Sequence, residues 1–361
     1  MLAFLIRRVL TMVLTALCLT FVVFYLTNLP PNLEKLAKSE ASARMSDADV
    51  ISWIERNGYS RPTVVRYGEW LGLIPGWTRT EDGVTTGRCI ERGQDPATAP
   101  LRCGVLQGDW GFSTVFKQPV SQIIVDRLGA TGMLMLWVMI VMVPTSLVIG
   151  VMSGMREGSR LDRGLSIFSI ASTATPEYVS GVVLIALLAS TTTGLSPWLA
   201  EQGWISGKTL FMGTATSALD SGITFWNFGL PVLTIALYAI GYIARMTRAS
   251  MTEVMTAQYI RTARLKGVSF GNVVMKHALR NALIAPFTVI MLQFPWLLNG
   301  VVIVETLFNY KGFGWTLVQA AGNNDIELLL ACSVVAVFVV LVTQLISDIG
   351  YVFLNPRIRI S

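Results

Sequence analysis

Two apolar runs, Phe228 to Ala244 and Leu283 to Val304, bracket a polar, basic stretch from Arg245 to Ala282. About 20 apolar residues suffice for a spanning helix, so a chain built this way has few folds open to it outside a membrane. Inside the bracketed stretch, Gln258-Tyr-Ile-Arg-Thr-Ala-Arg-Leu-Lys-Gly267 predicts a helix that stops with Gly267 in a left-handed C-terminal cap. Ser269 is then placed to cap a second short helix through Asn272, Lys276 and Arg280. The expectation is a helix-turn-helix at the membrane face. Its bases, Arg245, Arg248, Arg261, Arg264, Lys266, Lys276 and Arg280, put it on the cytoplasmic side, where short basic loops are retained. A rigid charged elbow between two spans suits the reception of force from a soluble partner. A basic helix resting on anionic lipid headgroups fits the same charge.

Composition agrees with a membrane protein. Of 361 residues, 53% are hydrophobic and 14% charged, and mean hydropathy is +0.57. A soluble domain with so little polar surface could not cover its core. The pI near 9.2 does not call for nucleic acid, because the excess charge sits in short loops beside apolar runs. Cys18 and Cys332 fall inside such runs and read as small buried hydrophobes. Cys89 and Cys103 share one hydrophilic segment, and a disulfide between them is expected if that segment lies outside the cytoplasm.

Taken in order, Arg7 and Arg8 precede an apolar run from Val9 to Leu26, and Asn28-Leu-Pro-Pro-Asn32 offers no signal-peptidase site, so the run reads as a first span. Residues 30–127 are soluble in character and form an extracytoplasmic insert, within which Ser46 is placed to cap an amphipathic helix through Arg56. The core from residue 128 to 361 then holds five spans. The second runs from Ala130 to Met152, through Pro144; the third begins in Ala171-Ser-Thr-Ala-Thr-Pro-Glu-Tyr-Val-Ser-Gly181 and runs to Leu195. An irregular external segment, Ser196 to Trp226, precedes the fourth, at Phe228 to Ala244. The fifth covers Leu283 to Val304 and the sixth Leu328 to Ile346. Glu177 is the acid expected within or at the edge of the membrane zone, where ionisable groups are costly. On this six-span plan Arg7, Arg8, Arg156, Arg160, Arg163, the seven elbow bases, Arg357 and Arg359 lie inside, against Lys208 and Lys311 outside, which puts both termini in the cytoplasm.

The wording of the elbow, Tyr259-Ile-Arg-Thr-Ala-Arg-Leu-Lys-Gly267 followed by Lys276-His-Ala-Leu-Arg-Asn-Ala-Leu283, resembles the coupling loop of ABC importer permeases of the dipeptide and oligopeptide class. The general importer pattern is Glu-Ala-Ala, three residues, Gly, nine residues, Ile-x-Leu-Pro. Here Arg261, Thr262 and Ala263 occupy the first three positions, Gly267 the glycine, His277 and Leu279 the Ile and Leu, and Arg280 the proline. The Arg-Thr-Ala and His-Ala-Leu-Arg-Asn wording is the usual form in the peptide branch. Further matching phrases are Gly108-Asp-Trp-Gly-Phe-Ser113, Gln118-Pro-Val120, Glu305-Thr-Leu-Phe-Asn-Tyr-Lys-Gly-Phe-Gly314, where Gly312 and Gly314 are read as allowing a tight turn, and Leu354-Asn-Pro-Arg-Ile-Arg359. The match covers residues 1–30 and 105–361, and the length of the insert around Cys89 reads as a departure.

The resemblance implies an all-α polytopic permease of a bacterial inner membrane. It would pair with a second permease and two ATP-binding subunits, and receive solute from an extracytoplasmic binding protein. Tyr259, Arg261, Thr262, Ala263, Arg264, Lys266, Gly267, His277 and Arg280 would then couple to the ATPases, which use the ATP and magnesium. The chain itself has no Gly-x-x-x-x-Gly-Lys-[Ser/Thr] loop and is expected to bind no cofactor. With His277 as its sole histidine it offers no His-based catalytic set, and that residue reads as a packing or hydrogen-bonding one. Peptides are the expected solute; nickel, oligosaccharides and opine-like compounds stay open within the class. A membrane-embedded enzyme, or a scaffold that uses the insert to bind a partner, are readings from other classes.

Overall fold

A computed structural model describes residues 2–81, 83–90 and 94–354. Asn355, Arg357 and Arg359 of the terminal phrase lie outside the described residues. The elements in chain order are α1 (Leu2–Thr27), α2 (Pro30–Glu40), α3 (Asp47–Arg56), α4 (Thr63–Leu71), β1 (Thr78–Glu81) and β2 (Val84–Gly87). The long helix α5 (Val120–Gly154) is followed by α6 (Arg160–Ala174), α7 (Glu177–Leu188), α8 (Leu195–Glu201), α9 (Ser217–Asp220), α10 (Phe225–Thr256) and α11 (Gln258–Leu265). Then come α12 (Phe270–Asn272), a π-helical turn (Val273–Ala278), α13 (Leu279–Ala282), α14 (Ile284–Leu307), α15 (Phe313–Gly322) and α16 (Ile326–Leu354).

Among the described residues, four helices are long and apolar enough to cross a membrane: Ile6–Thr27, Val120–Gly154, Phe225–Thr256 and Ile326–Gly350. Two bent pairs, Arg160–Ala174 with Glu177–Leu188 at 109° and Phe270–Ala282 with Ile284–Gln293 at 49°, bring the number to six if each pair is one span. The first break has a local cause. Thr175 precedes Pro176 and takes an extended conformation, φ −96° and ψ 121°, as the proline ring requires of the residue before it. The stretch from Ala171 to Leu195, expected as one continuous third span, therefore holds the end of α6, the break at Thr175 and Pro176, and α7, which ends at Leu188. The fourth is longer than the run from Phe228 to Ala244. Thr224 starts it in a capping box with Asn227, and it continues through the basic residues to Thr256, since charge alone does not end a helix. In the segment 196–226, expected to be irregular, α8 and α9 are short helices.

The chain divides into two compact units. One comprises Leu2–Leu128 with Thr316–Val339. Its core packs Phe24, Leu33, Leu36, Trp70, Leu71, Ile326 and Leu330. Ser46 caps α3 as expected, its side chain accepting from the amide of Asp49, whose carboxylate accepts in turn from the Ser46 amide. Arg61 pairs with buried Glu69, and Ser113 donates to buried Asp325. The helical class holds, but β1 and β2, which the sequence analysis did not anticipate, form an antiparallel hairpin in which Glu81 faces Val84 and Gly83 sits at φ +78°. Asp82-Gly83 is a strong hairpin signal. Beyond the hairpin, Cys89 and Cys103 are joined in a disulfide, their Cα atoms 5.5 Å apart.

The other unit comprises, among the described residues, Gly129–Trp315 and 340–354. Helix α10 is its axis, packed against α6, α7 and α14, with Leu230, Ile235, Ala236, Ala239 and Ile243 in the core. Glycines set the closest seams. A Cβ on Gly150 would lie 2.3 Å from Thr247 Cβ, one on Gly154 2.5 Å from Met251 Cβ, and one on Gly241 2.5 Å from the Ser169 carbonyl. Small residues at such seams let helix backbones approach. A second tight feature follows α14, where the carboxylate of fully buried Glu305 accepts from the Thr131 hydroxyl and the Trp315 amide, while Thr131 accepts from the Phe313 amide at 2.7 Å. Gly312 was expected to serve a tight turn, but its role is approach. A Cβ there would lie 2.1 Å from Glu305 Oε1, and the left-handed residue of the turn is Asn309, at φ 49°.

Candidate functional site

Helix α11 follows α10 after a single residue, Ala257, whose extended backbone turns the chain. Its sequence is amphipathic over two turns. Ile260 and Ala263 are buried, whereas Arg261, Thr262, Arg264, Leu265, Lys266 and Gly267 are exposed, Leu265 to 80%. The helix ends as its glycine dictates. Gly267, at φ +76°, donates its amide to the Arg264 carbonyl at 3.0 Å, and Val268 donates to the Ala263 carbonyl at 3.2 Å, the paired bonds of a Schellman cap. Ser269 does not cap the next helix through its hydroxyl; its carbonyl accepts from the Val273 amide at 2.9 Å. The second arm is a single turn, α12, that widens into the π-helical turn before α13.

The arms close on an apolar base formed by Met251, Ile260, Ala263, Val273, Val274, Ala278 and Ala282, with Val151, Met155 and Val268 packed beside it. Three polar contacts lock them. The Ser250 hydroxyl donates to the Ala282 carbonyl at 2.8 Å, Asn281 donates to the Tyr259 hydroxyl at 2.9 Å, and the Arg156 guanidinium lies 5.7 Å from the centre of the Phe270 ring. His277 and Arg280 are exposed on the second arm. The structure thus brings Tyr259, Arg261, Thr262, Arg264, Lys266, Gly267, His277 and Arg280 to an open surface of one elbow. Two expectations change. Ala263 belongs to the packed side and supports the helix rather than presenting itself, and His277 faces solvent instead of packing.

Arg248 also leaves the set of free elbow bases. Its Nε and Nη2 donate to the two carboxylate oxygens of Asp162 at 2.6 and 2.8 Å. Asp162 is buried and takes further bonds from the Ser153 hydroxyl, the Gly158 amide at 2.9 Å and the Ser166 hydroxyl at 3.2 Å. Asp162 was not among the residues singled out from the sequence, where Ser159-Arg-Leu-Asp162 shows only the local spacing of a capping box. Only half of that box forms: the Asp162 amide donates to the Ser159 hydroxyl, but the Ser159 amide goes to the Arg156 carbonyl.

The elbow thus presents an exposed cationic surface on a helical unit, and comparison with known proteins gives the family in which it stands. Residues 146–360 match the family model described as binding-protein-dependent transport system inner membrane component. The oligopeptide transport system permease protein AppB of Bacillus subtilis is 30% identical over 361 residues, covering 99% of this chain and all of its own. The chain belongs to this permease family. A peptide ABC transporter permease protein of Sinorhizobium fredii, y4tP, is 33% identical over 297 residues, 81% of this chain and 90% of its own. A solved amino acid ABC transporter is similar over 64% of this chain and 94% of its own, at 14% identity and a TM-score of 0.45. The alignment with the B. subtilis permease takes in the insert, so the match is not confined to residues 1–30 and 105–361. As an ABC permease, the protein is a multi-pass membrane subunit that works in a complex with other subunits, and it is not itself a catalytic enzyme.

Proposed function

We propose that this permease is one of two related membrane subunits of an importer for di- and oligopeptides, energised by two ATP-binding subunits and supplied by an extracytoplasmic binding protein. Peptide as the solute rests on the names of its relatives, which are peptide or oligopeptide permeases. ATP and magnesium would be held by the partner subunits. The termini and the elbow would face the cytoplasm and the insert the other side, in line with the charge asymmetry of the short loops.

The observation that carries the mechanism is the build of α11. An exposed basic face, tipped by Leu265, stands on a buried apolar base and is stopped by a left-handed glycine. Such a helix can sit in a groove of an ATPase and pass on its movement as a rigid body. Leu265 would fill the groove while Arg261, Arg264 and Lys266 meet acidic groups at its rim. Closing of the ATPase pair would then displace the elbow, and the spans would rock around a path between the two permeases, as alternating access requires.

Gly267→Val tests this. Nothing lies within 4 Å of a Cβ at this position, so the damage is confined to the backbone. A β-branched residue at φ +76° costs about 1–2 kcal/mol or more, too little to prevent insertion but enough to change the angle at which α11 leaves the elbow. In the reconstituted complex, ATP hydrolysis should persist while uptake falls at least tenfold. Normal uptake by the variant would refute this assignment of force transfer.

A further inference from the structure

The carboxylate of Asp162 accepts five hydrogen bonds from three places in the chain: the end of α5 (Ser153), the loop and first turns of α6 (Gly158 and Ser166), and α10 (Arg248). A residue whose task was only to start α6 would turn back to the Ser159 amide, which it does not. The partner that replaces this bond is 86 residues away in sequence. Burial of a charged pair is seldom a source of net stability, because desolvation offsets much of the attraction. What such a pair does provide is a fixed mutual geometry for the elements that carry it.

We propose that the Asp162–Arg248 pair is a positioning joint: it obliges the ends of α5 and α6 to follow the elbow, so that displacement of α11 reaches the broken helix α6–α7. The inference rests on the coupling role proposed above for α11. Three further observations place the pair in the line of force. Arg248 lies two turns before the end of α10, and the intervening Met251, Val254 and Met255 pack in the apolar base of the elbow. Gly154 of α5 lies directly under the pair, where an added Cβ would be 2.7 Å from the Arg248 carbonyl, so α5 has no room to slide. Beyond the joint, α6 leads through its 109° break into α7, whose first residue, Glu177, lies against Gly300 of α14, 3.5 Å from where a Cβ would stand. With the joint intact, α5, α6 and α10 move as one body. Without it, α6 still packs along α10, but the ends of α5 and α6 nearest the elbow are no longer held in a fixed geometry and follow its displacement only in part.

The test uses the whole transporter in proteoliposomes, with uptake of radiolabelled tri-alanine and ATP hydrolysis measured on the same vesicles. The variants are Asp162→Asn, Arg248→Gln, Arg248→Lys and the double Asp162→Asn/Arg248→Gln, with Gly267→Val alongside. The joint predicts that Asp162→Asn and Arg248→Gln each lower uptake per ATP hydrolysed about tenfold while ATPases still copurify. The double variant should perform like either single, and Arg248→Lys should fall between them and wild type. Unchanged uptake per ATP in the singles, with Gly267→Val uncoupled, would overturn the joint and leave the elbow standing. Loss of ATPase copurification in all four joint variants would make the pair a folding element and equally overturn it. Full uptake by Gly267→Val would remove the lever itself, and the joint with it.

Discussion

Replacing Gly150 by alanine isolates what the seam between α5 and α10 contributes. In a helix interior the exchange gains up to about 1 kcal/mol from propensity. At Gly150 that gain meets a steric obstacle: the new Cβ would lie 2.3 Å from Thr247 Cβ and 2.7 Å from the Ala244 carbonyl oxygen. One of these is main chain, so no side-chain rotation relieves both contacts, and the helices must part. Overpacking of this kind costs about 1–3 kcal/mol, so the net effect is a loss of up to about 2 kcal/mol. At roughly 2–4 °C per kcal/mol, the expected change is a fall of several degrees in the melting temperature of the detergent-solubilised permease, followed by size-exclusion chromatography after heating. Gly132 lies in the same helix with nothing within 4 Å of a built Cβ, so Gly132→Ala should leave the melting temperature unchanged or raise it slightly. Equal melting temperatures for the two variants would refute the claim that Gly150 is required by close approach.

Thr131→Val deprives buried Glu305 of a donor and the Phe313 amide of its acceptor, and should destabilise the permease by about 1–3 kcal/mol, with Thr131→Ser close to wild type in the same melting assay. Replacing Cys89 and Cys103 by serine opens a loop of 14 residues and should destabilise the insert by about 3 kcal/mol, read as faster cleavage by protease added to the insert side of intact vesicles; the same acceleration should follow reduction of the wild type.

The elbow was legible because its signals are local. Residues 258–267 carry their own stop in Gly267, and the alternation that buries Ile260 and Ala263 is written in neighbouring positions. Ser46 was legible for the same reason. The joint was not, because Asp162 and Arg248 become partners only once α5, α6 and α10 are packed, and nothing local points from one to the other; Arg248 was read only as a topogenic charge. The break at Pro176 lay between these cases. The proline was visible, but whether it bends a span slightly or splits it by 109° depends on what α6 packs against, which is α10. Gly312 shows the remaining difficulty: glycine is permissive in conformation and small in volume, and only the position of the Glu305 carboxylate decides which property is used.

The central claim is that α11 is the part of this permease that an ATPase subunit grips. Arg264→Cys, in a background with Cys18 and Cys332 replaced by alanine, places one exposed thiol on that helix. Treated with a membrane-impermeant maleimide, the thiol should react in inside-out vesicles but not in right-side-out ones, and addition of the ATP-binding subunits should protect it. Labelling only from the opposite side, or labelling that the ATP-binding subunits leave unchanged, would contradict the account.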